Sequence, residues 1–162
     1  FDNFEQNTVQ FIRRQVRALQ TQKDISVVVI DGLWKLSLLD ANGNKEPPRQ
    51  VLKYPALMTQ ITNMAQELNV AVWILHQFNQ GGVSADSAPR LDLIEGKTSA
   101  TSDAQVVYAM KRNLADPTAP TEVYRLKDRA QGQSVTPLQL DYLISHSMYT
   151  DYAGGDYDDL NL

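Results

Sequence analysis

The chain has 162 residues, of which 43% are hydrophobic, 8% aromatic and 21% charged, a composition that supports one globular core and excludes a disordered or collagen-like polymer. Nineteen acids against fifteen Lys and Arg give a formal charge of -4, so no global positive field marks a nucleic-acid binder, and any such binding must come from local patches. Without cysteine there is no disulfide frame and no thiolate chemistry, and no apolar run approaches the roughly 18 residues of a membrane helix, which points to a soluble, cytoplasmic protein.

Residues 4 to 20 carry Val9, Ile12, Val16 and Leu19 at spacings of three and four, which predicts an amphipathic helix with one buried stripe. Ser26 to Ile30, S-V-V-V-I, is too short for a helix and too apolar for a surface, so it reads as a central parallel strand buried on both faces and ending at Asp31-Gly32. Residues 40 to 50 concentrate Gly, Asn and Pro and predict an exposed loop. A second helix follows on the stripe Leu57, Ile61, Met64, Ala65 and Leu68, ending at Asn69, and Val70 to Leu75 is again a continuous apolar strand. Strand, helix and strand in that order form a βαβ unit, so the fold class is α/β, with a mostly parallel sheet flanked by helices.

Beyond His76-Gln77, residues 78 to 103 form a long stretch rich in Gly, Ser and Ala, and loops of that length usually serve a ligand. Strands are predicted at Gln105 to Met110, Glu122 to Leu126 and Leu138 to Leu143, the last two forming an antiparallel hairpin whose polar connector holds Lys127, Arg129 and Gly132. Four acids, Asp151, Asp156, Asp158 and Asp159, crowd the last twelve residues. Residues 1 to 150 are therefore expected to be the folded part and 151 to 162 an acidic flexible tail, either solubilising or recruiting a basic partner. The chain opens on Phe1 with no signal peptide before Ser26, and is expected to be a fragment of a longer protein.

Asp31 falls at the carboxyl end of a parallel strand, where open α/β sheets bind ligands, and a carboxylate there suits Mg²⁺ held with a nucleotide phosphate. A strand-end Asp also caps turns, so the residue alone leaves both readings open. Gln77, at the end of the next strand, could bond a terminal phosphate and a loop at once, or simply satisfy backbone groups. Lys127 and Arg129 alternate along an extended segment and so share a face; together they suit the spread charge of phosphoryl transfer, or form an ordinary solvated basic hairpin. Gly96-Lys97-Thr98 imitates the end of a phosphate-binding loop, but Leu91 stands where the first glycine belongs, so it is a decoy. His76 and His146 have no metal-ligand spacing, and zinc is rejected.

Taken in order, V-V-V-I-D (Val27 to Asp31), E-L-N-V (Glu67 to Val70), V-W-I-L-H-Q-F-N (Val72 to Asn79), D-L-I-E-G (Asp92 to Gly96), S-D-A-Q-V-V (Ser102 to Val107) and L-K-D-R-A-Q-G (Leu126 to Gly132) resemble the second half of the RecA-like motor domain in DnaB-type replicative helicases. The likeness spans about residues 8 to 150. It implies an ATP-dependent, ring-forming helicase or single-strand DNA translocase, a homo-hexamer or similar ring with ATP and Mg²⁺ between subunits and a primase or loader as candidate partner. By the same resemblance Asp31 matches the Walker B aspartate and metal ligand, Gln77 the γ-phosphate sensor, and Lys127 and Arg129 the cations inserted into a neighbour's ATP site. The residues after Asp31 and from Phe78 to Thr101 match the loops that grip single-stranded DNA, with Arg90 and Lys97, and more weakly Arg49 and Lys53, as backbone contacts.

The Walker A loop and the family's catalytic glutamate have no match in the chain and are expected upstream, so this piece alone should not hydrolyse ATP. Gly32 and His76 depart from the replicative pattern and are similar to plasmid and phage ATPases of the RepA type. Two other functions stay open: a RecA-like recombinase or helicase loader, and a non-catalytic RecA-like partner subunit. A G-x-x-x-x-G-K-[ST] loop upstream separates the motor from the last of these.

Overall fold

The computed structural model describes residues 7–38, 54–78, 87–96, 100–113, 115–116, 118–132, 136–143 and 146–152. The chain divides into two units, one of Phe1–Gly82 with Leu91–Ala104, the other of Val83–Arg90 with Gln105–Leu162.

In the first unit, helix α1 (Val9–Gln20) starts where the Thr8 hydroxyl accepts the Phe11 N–H at 3.2 Å, which satisfies one of the four donors a helix start leaves free. Val9 and Val16 are buried, with Ile12 packed beside them, as the stripe predicts. Strand β1 (Val27–Asp31) leads through a single turn at Leu33–Lys35, and helix α2 (Tyr54–Leu68) precedes strand β2 (Ala71–Leu75). Asn69, at φ 51°, stops α2 in the left-handed conformation that Asn tolerates well. β1 and β2 are parallel, from Val27 opposite Ala71 to Asp31 opposite Leu75.

The core lies between the helices and one face of this pair. Tyr54, Leu57, Met58, Ile61, Met64 and Leu68 of α2 meet Val9 and Val16 of α1 and Ile30 of β1, with Val28, Val72 and Ile74 packed against them. Each such side chain, fully buried, contributes about 1.5–3 kcal/mol. Polar contacts edge the helix pair: Gln10 donates to Gln60 at 3.1 Å, and Arg13, at 3.1 Å, and Arg17 both meet Glu67.

The expectation that β1 is buried on both faces needs correction. Val29 is 63% and Trp73 60% exposed, and Val27 and Leu75 stand out beside them. Alternation sends Val28, Ile30, Val72 and Ile74 to the helices and their neighbours to the bare face. The continuous apolar run suits a strand covered on both sides, but among the described residues only one side is covered.

The second unit holds strands β3 (Val106–Lys111), β4 (Thr121–Asp128), β5 (Leu138–Leu143) and β6 (Met148–Asp151), each antiparallel to the next. The α/β class holds, but among the described residues the parallel part is a two-stranded pair and the larger sheet is antiparallel. The reason lies in the connections: α2 carries the chain back between β1 and β2, whereas the short connectors after β3 only reverse it. β4 also runs two residues past the expected Leu126, so Lys127 belongs to the strand and the connector begins at Arg129. Strand β6 was not expected; Tyr149 meets Tyr142 across the ladder at 4.8 Å, and the Arg112 guanidinium lies 4.3 Å from the Tyr142 ring centre. Of the tail expected at 151 to 162, Asp151 belongs to β6, and the residues from 153 onward, like the loop expected at 40 to 50, fall outside the described residues.

Candidate functional site

The register of the parallel pair sets Asp31, the last residue of β1, beside Leu75, the last of β2. Gln77 follows two residues later, so the structure brings Asp31 and Gln77 to the same carboxyl edge, both exposed.

Local sequence explains why the chain after Asp31 is held. Leu33, almost wholly buried, anchors the turn, and Lys35 and Leu36 donate to the carbonyls of Gly32 and Leu33, each at 3.1 Å. A side chain at Gly32 would collide with the Trp34 ring. Trp34 in turn stacks on His76, ring centres 6.1 Å apart at 28°, and Tyr54 meets His76 edge-on at 5.3 Å. The Asp31 and Gln77 segments are thus joined through aromatic rings set just behind them.

The chain that leaves Gln77 returns to it. Phe78 bridges Ile94, the Glu95 N–H donates to the Gln77 carbonyl at 3.0 Å, and His76 Nε2 lies 2.7 Å from the Glu95 carbonyl oxygen. A carbonyl only accepts, so Nε2 carries the proton. Nδ1 is buried with no hydrogen-bond partner among the described residues. Gly96, at φ +82°, then passes so close to Tyr54 that a Cβ would overlap its ring. The chain at His76, Gln77 and Phe78 is thus joined directly to the chain at Ile94 and Glu95.

Lys127 and Arg129 lie in the second unit. Arg129 extends the ladder by donating its N–H to the Gln105 carbonyl at 3.0 Å, which leaves it two residues beyond Lys127 on the same face. Of the expected DNA contacts, Arg90 is exposed, and Lys111 Nζ donating to the Ser87 carbonyl at 3.1 Å ties the segment before Arg90 to β3. Arg49, Lys53 and Lys97 lie outside the described residues. Sequence reasoning missed the Trp34, Tyr54 and His76 cluster, whose members are far apart along the chain and carry no spacing signal.

A Mg²⁺ ion is compatible with this edge. Among the described residues no three acids or histidines gather to hold a metal by themselves, and a lone exposed carboxylate fits an ion that keeps its waters and takes phosphate oxygens.

The family model of the DnaB-like helicase C-terminal domain matches residues 1–145. The chain belongs to the DnaB-like helicase C-terminal domain family. Among solved structures, an isolated ATPase domain is similar at 21% identity and a TM-score of 0.73, over 90% of this chain and 52% of that one. A DnaB-like replicative helicase, solved in a study of its interactions with primase, is similar at 21% identity and a TM-score of 0.74, over 90% of this chain and 35% of that one. The chain thus spans about half of the first and a third of the second. No curated protein matches it. The DnaB-like fold is shared with both structures, and no helix among the described residues is long and apolar enough to cross a membrane.

Proposed function

We propose that this chain is the later half of an ATP-driven motor domain that translocates along single-stranded DNA and unwinds duplex, working as a ring, expected to be a homo-hexamer, with ATP between subunits. The observation that carries the reading is the shared carboxyl edge of Asp31 and Gln77 in a chain of the DnaB-like family. Asp31 holds Mg²⁺, which neutralises charge on the terminal phosphates. Gln77 bonds the terminal phosphate and, through its carbonyl to Glu95, transmits the loss of that phosphate to the closed loop beyond it. Arg90, and Lys97 beyond Glu95, with Arg49 and Lys53, contact DNA phosphates, and Lys127 and Arg129 reach the neighbour's site as paired cations.

Residues 1 to 150 are then part of a RecA-like domain, and the bare face of Val27, Val29, Trp73 and Leu75 is covered by the rest of it, completing a mostly parallel sheet. A primase is the partner supported by the interactions of the similar replicative helicase. The test is ATP hydrolysis by the full-length protein with and without single-stranded DNA. DNA-stimulated turnover that falls about a thousandfold in Arg129→Ala supports a motor with shared sites. A folded ring with no hydrolysis at all excludes it.

A further inference from the structure

The turn that follows β4 is built around a carboxylate. Pairing along β4 is irregular at Leu126: Val107 pairs with Lys127, whereas Tyr108 pairs with Arg125. The extra residue puts Arg125 and Lys127 on opposite faces, a common effect of a bulge. Asp128, opposite Val106, shares the Arg125 face, while Arg129 shares the face of Lys127.

The hydrogen bonds of Asp128 follow from that alternation. Its Oδ1 accepts the N–H of Ala130 at 2.8 Å and of Gln131 at 3.0 Å. Its Oδ2 lies 3.6 Å from Arg125 Nη1, and the same nitrogen donates to Gln131 Oε1 at 2.6 Å. The N–H of Gly132 closes the turn on the Asp128 carbonyl at 2.8 Å, with Gly132 at φ +78°. Every backbone N–H from Arg129 to Gly132 therefore has an acceptor, and three of the four go to Asp128. The Asp128 side chain is 11% exposed against 27% for Arg125, so their attraction is weakly screened by water.

An acid between two cations would ordinarily neutralise them and weaken their pull on a phosphate. Here its charge is directed away, onto Arg125 and the turn amides. We infer that Asp128, held by Arg125 and Gln131, is the positioning residue for the Lys127 and Arg129 pair: it fixes the turn that presents Arg129 and keeps its own charge off the shared cationic face. This rests on the proposal that the pair acts in a neighbour's ATP site.

The experiment uses the full-length protein and single-stranded DNA. Asp128→Ala is expected to lower kcat about tenfold or more, with KM for ATP and ring assembly unchanged, and Asp128→Asn, whose Oδ1 still accepts both amide hydrogens, to recover most of the loss. Mixing tests the role in trans. Rings of Asp128→Ala with Asp31→Ala subunits should hydrolyse faster than either variant alone, because an intact Asp31 site then meets an intact cation pair. Wild-type turnover in Asp128→Ala, with Arg129→Ala inactive, overturns the inference alone; so does a mixture that stays inactive when Arg129→Ala mixed with Asp31→Ala recovers. Full turnover in Arg129→Ala overturns the parent reading instead. If Asp128→Ala does not assemble, Asp128→Glu, which keeps the charge but carries the carboxylate a methylene away from the Ala130 and Gln131 amides, makes the same comparison, and wild-type turnover there overturns the inference.

Discussion

Single residues here are constrained less by their own chemistry than by the ring or carbonyl they face. Gly96 combines a left-handed φ of +82° with contact against Tyr54, the most deeply buried large side chain among the described residues. Gly96→Ala should therefore cost about 1–3 kcal/mol in backbone strain before any displacement of Tyr54, read as a lower urea midpoint; an unchanged midpoint would show that the loop base yields freely. Tyr124 gives a pH dependence. Burial, and then the Glu122 carboxylate that accepts its hydroxyl at 2.8 Å, raise the phenol above its ordinary value near 10. The folded state thus favours the protonated phenol, so its contribution is complete below pH 10 and is lost as pH rises through the raised value. Thermal melts from pH 8 to 11.5 should fall less steeply in Tyr124→Phe than in the parent, and parallel curves would reject that linkage. At this scale the carboxyl-edge positions of Asp31 and Gln77 were legible because each closes or closely follows an apolar run, whereas the environment of His76 was not, since Trp34, Tyr54 and Glu95 meet it only after folding.

Among the described elements, α2 contributes more side chains to the first unit's core than any other. Leu57 is nearly inaccessible within it, and Leu57→Ala should destabilise by about 2–5 kcal/mol through lost burial and a residual cavity. Glu67→Gln, at a site where Arg17 is exposed and Arg13 partly so, should change stability by less than about 1 kcal/mol. Denaturant unfolding of the two variants separates burial from surface charge as the source of the α1 and α2 contact. Periodicity revealed these helices and the order of the strands. It did not reveal that β4 continues through Lys127 and Asp128, because charged residues at a strand end look like connector. Nor did it reveal β6, a short polar strand whose identity comes from pairing with β5.

For the whole chain, the bare face of the parallel pair is the dominant physical fact. Val27, Val29, Trp73 and Leu75 form a contiguous apolar strip of a kind that folded surfaces seldom leave open. The chain expressed by itself should bind a hydrophobic dye and self-associate, and Trp73→Thr with Leu75→Thr should reduce both by size-exclusion chromatography; a monodisperse parent with no dye uptake would contradict this. The sequence by itself determined the α/β class, the two amphipathic helices, the parallel pair and its carboxyl-edge residues, and family membership, because these follow from local periodicity and from motif order. Only the tertiary structure decided which face of the strands is covered, how His76 ties the loop base to the Asp31 edge, and how Asp128 turns away from the cations beside it. Those depend on strand register and on contacts between residues distant along the chain, and one shifted residue at the Leu126 bulge is enough to reverse a face.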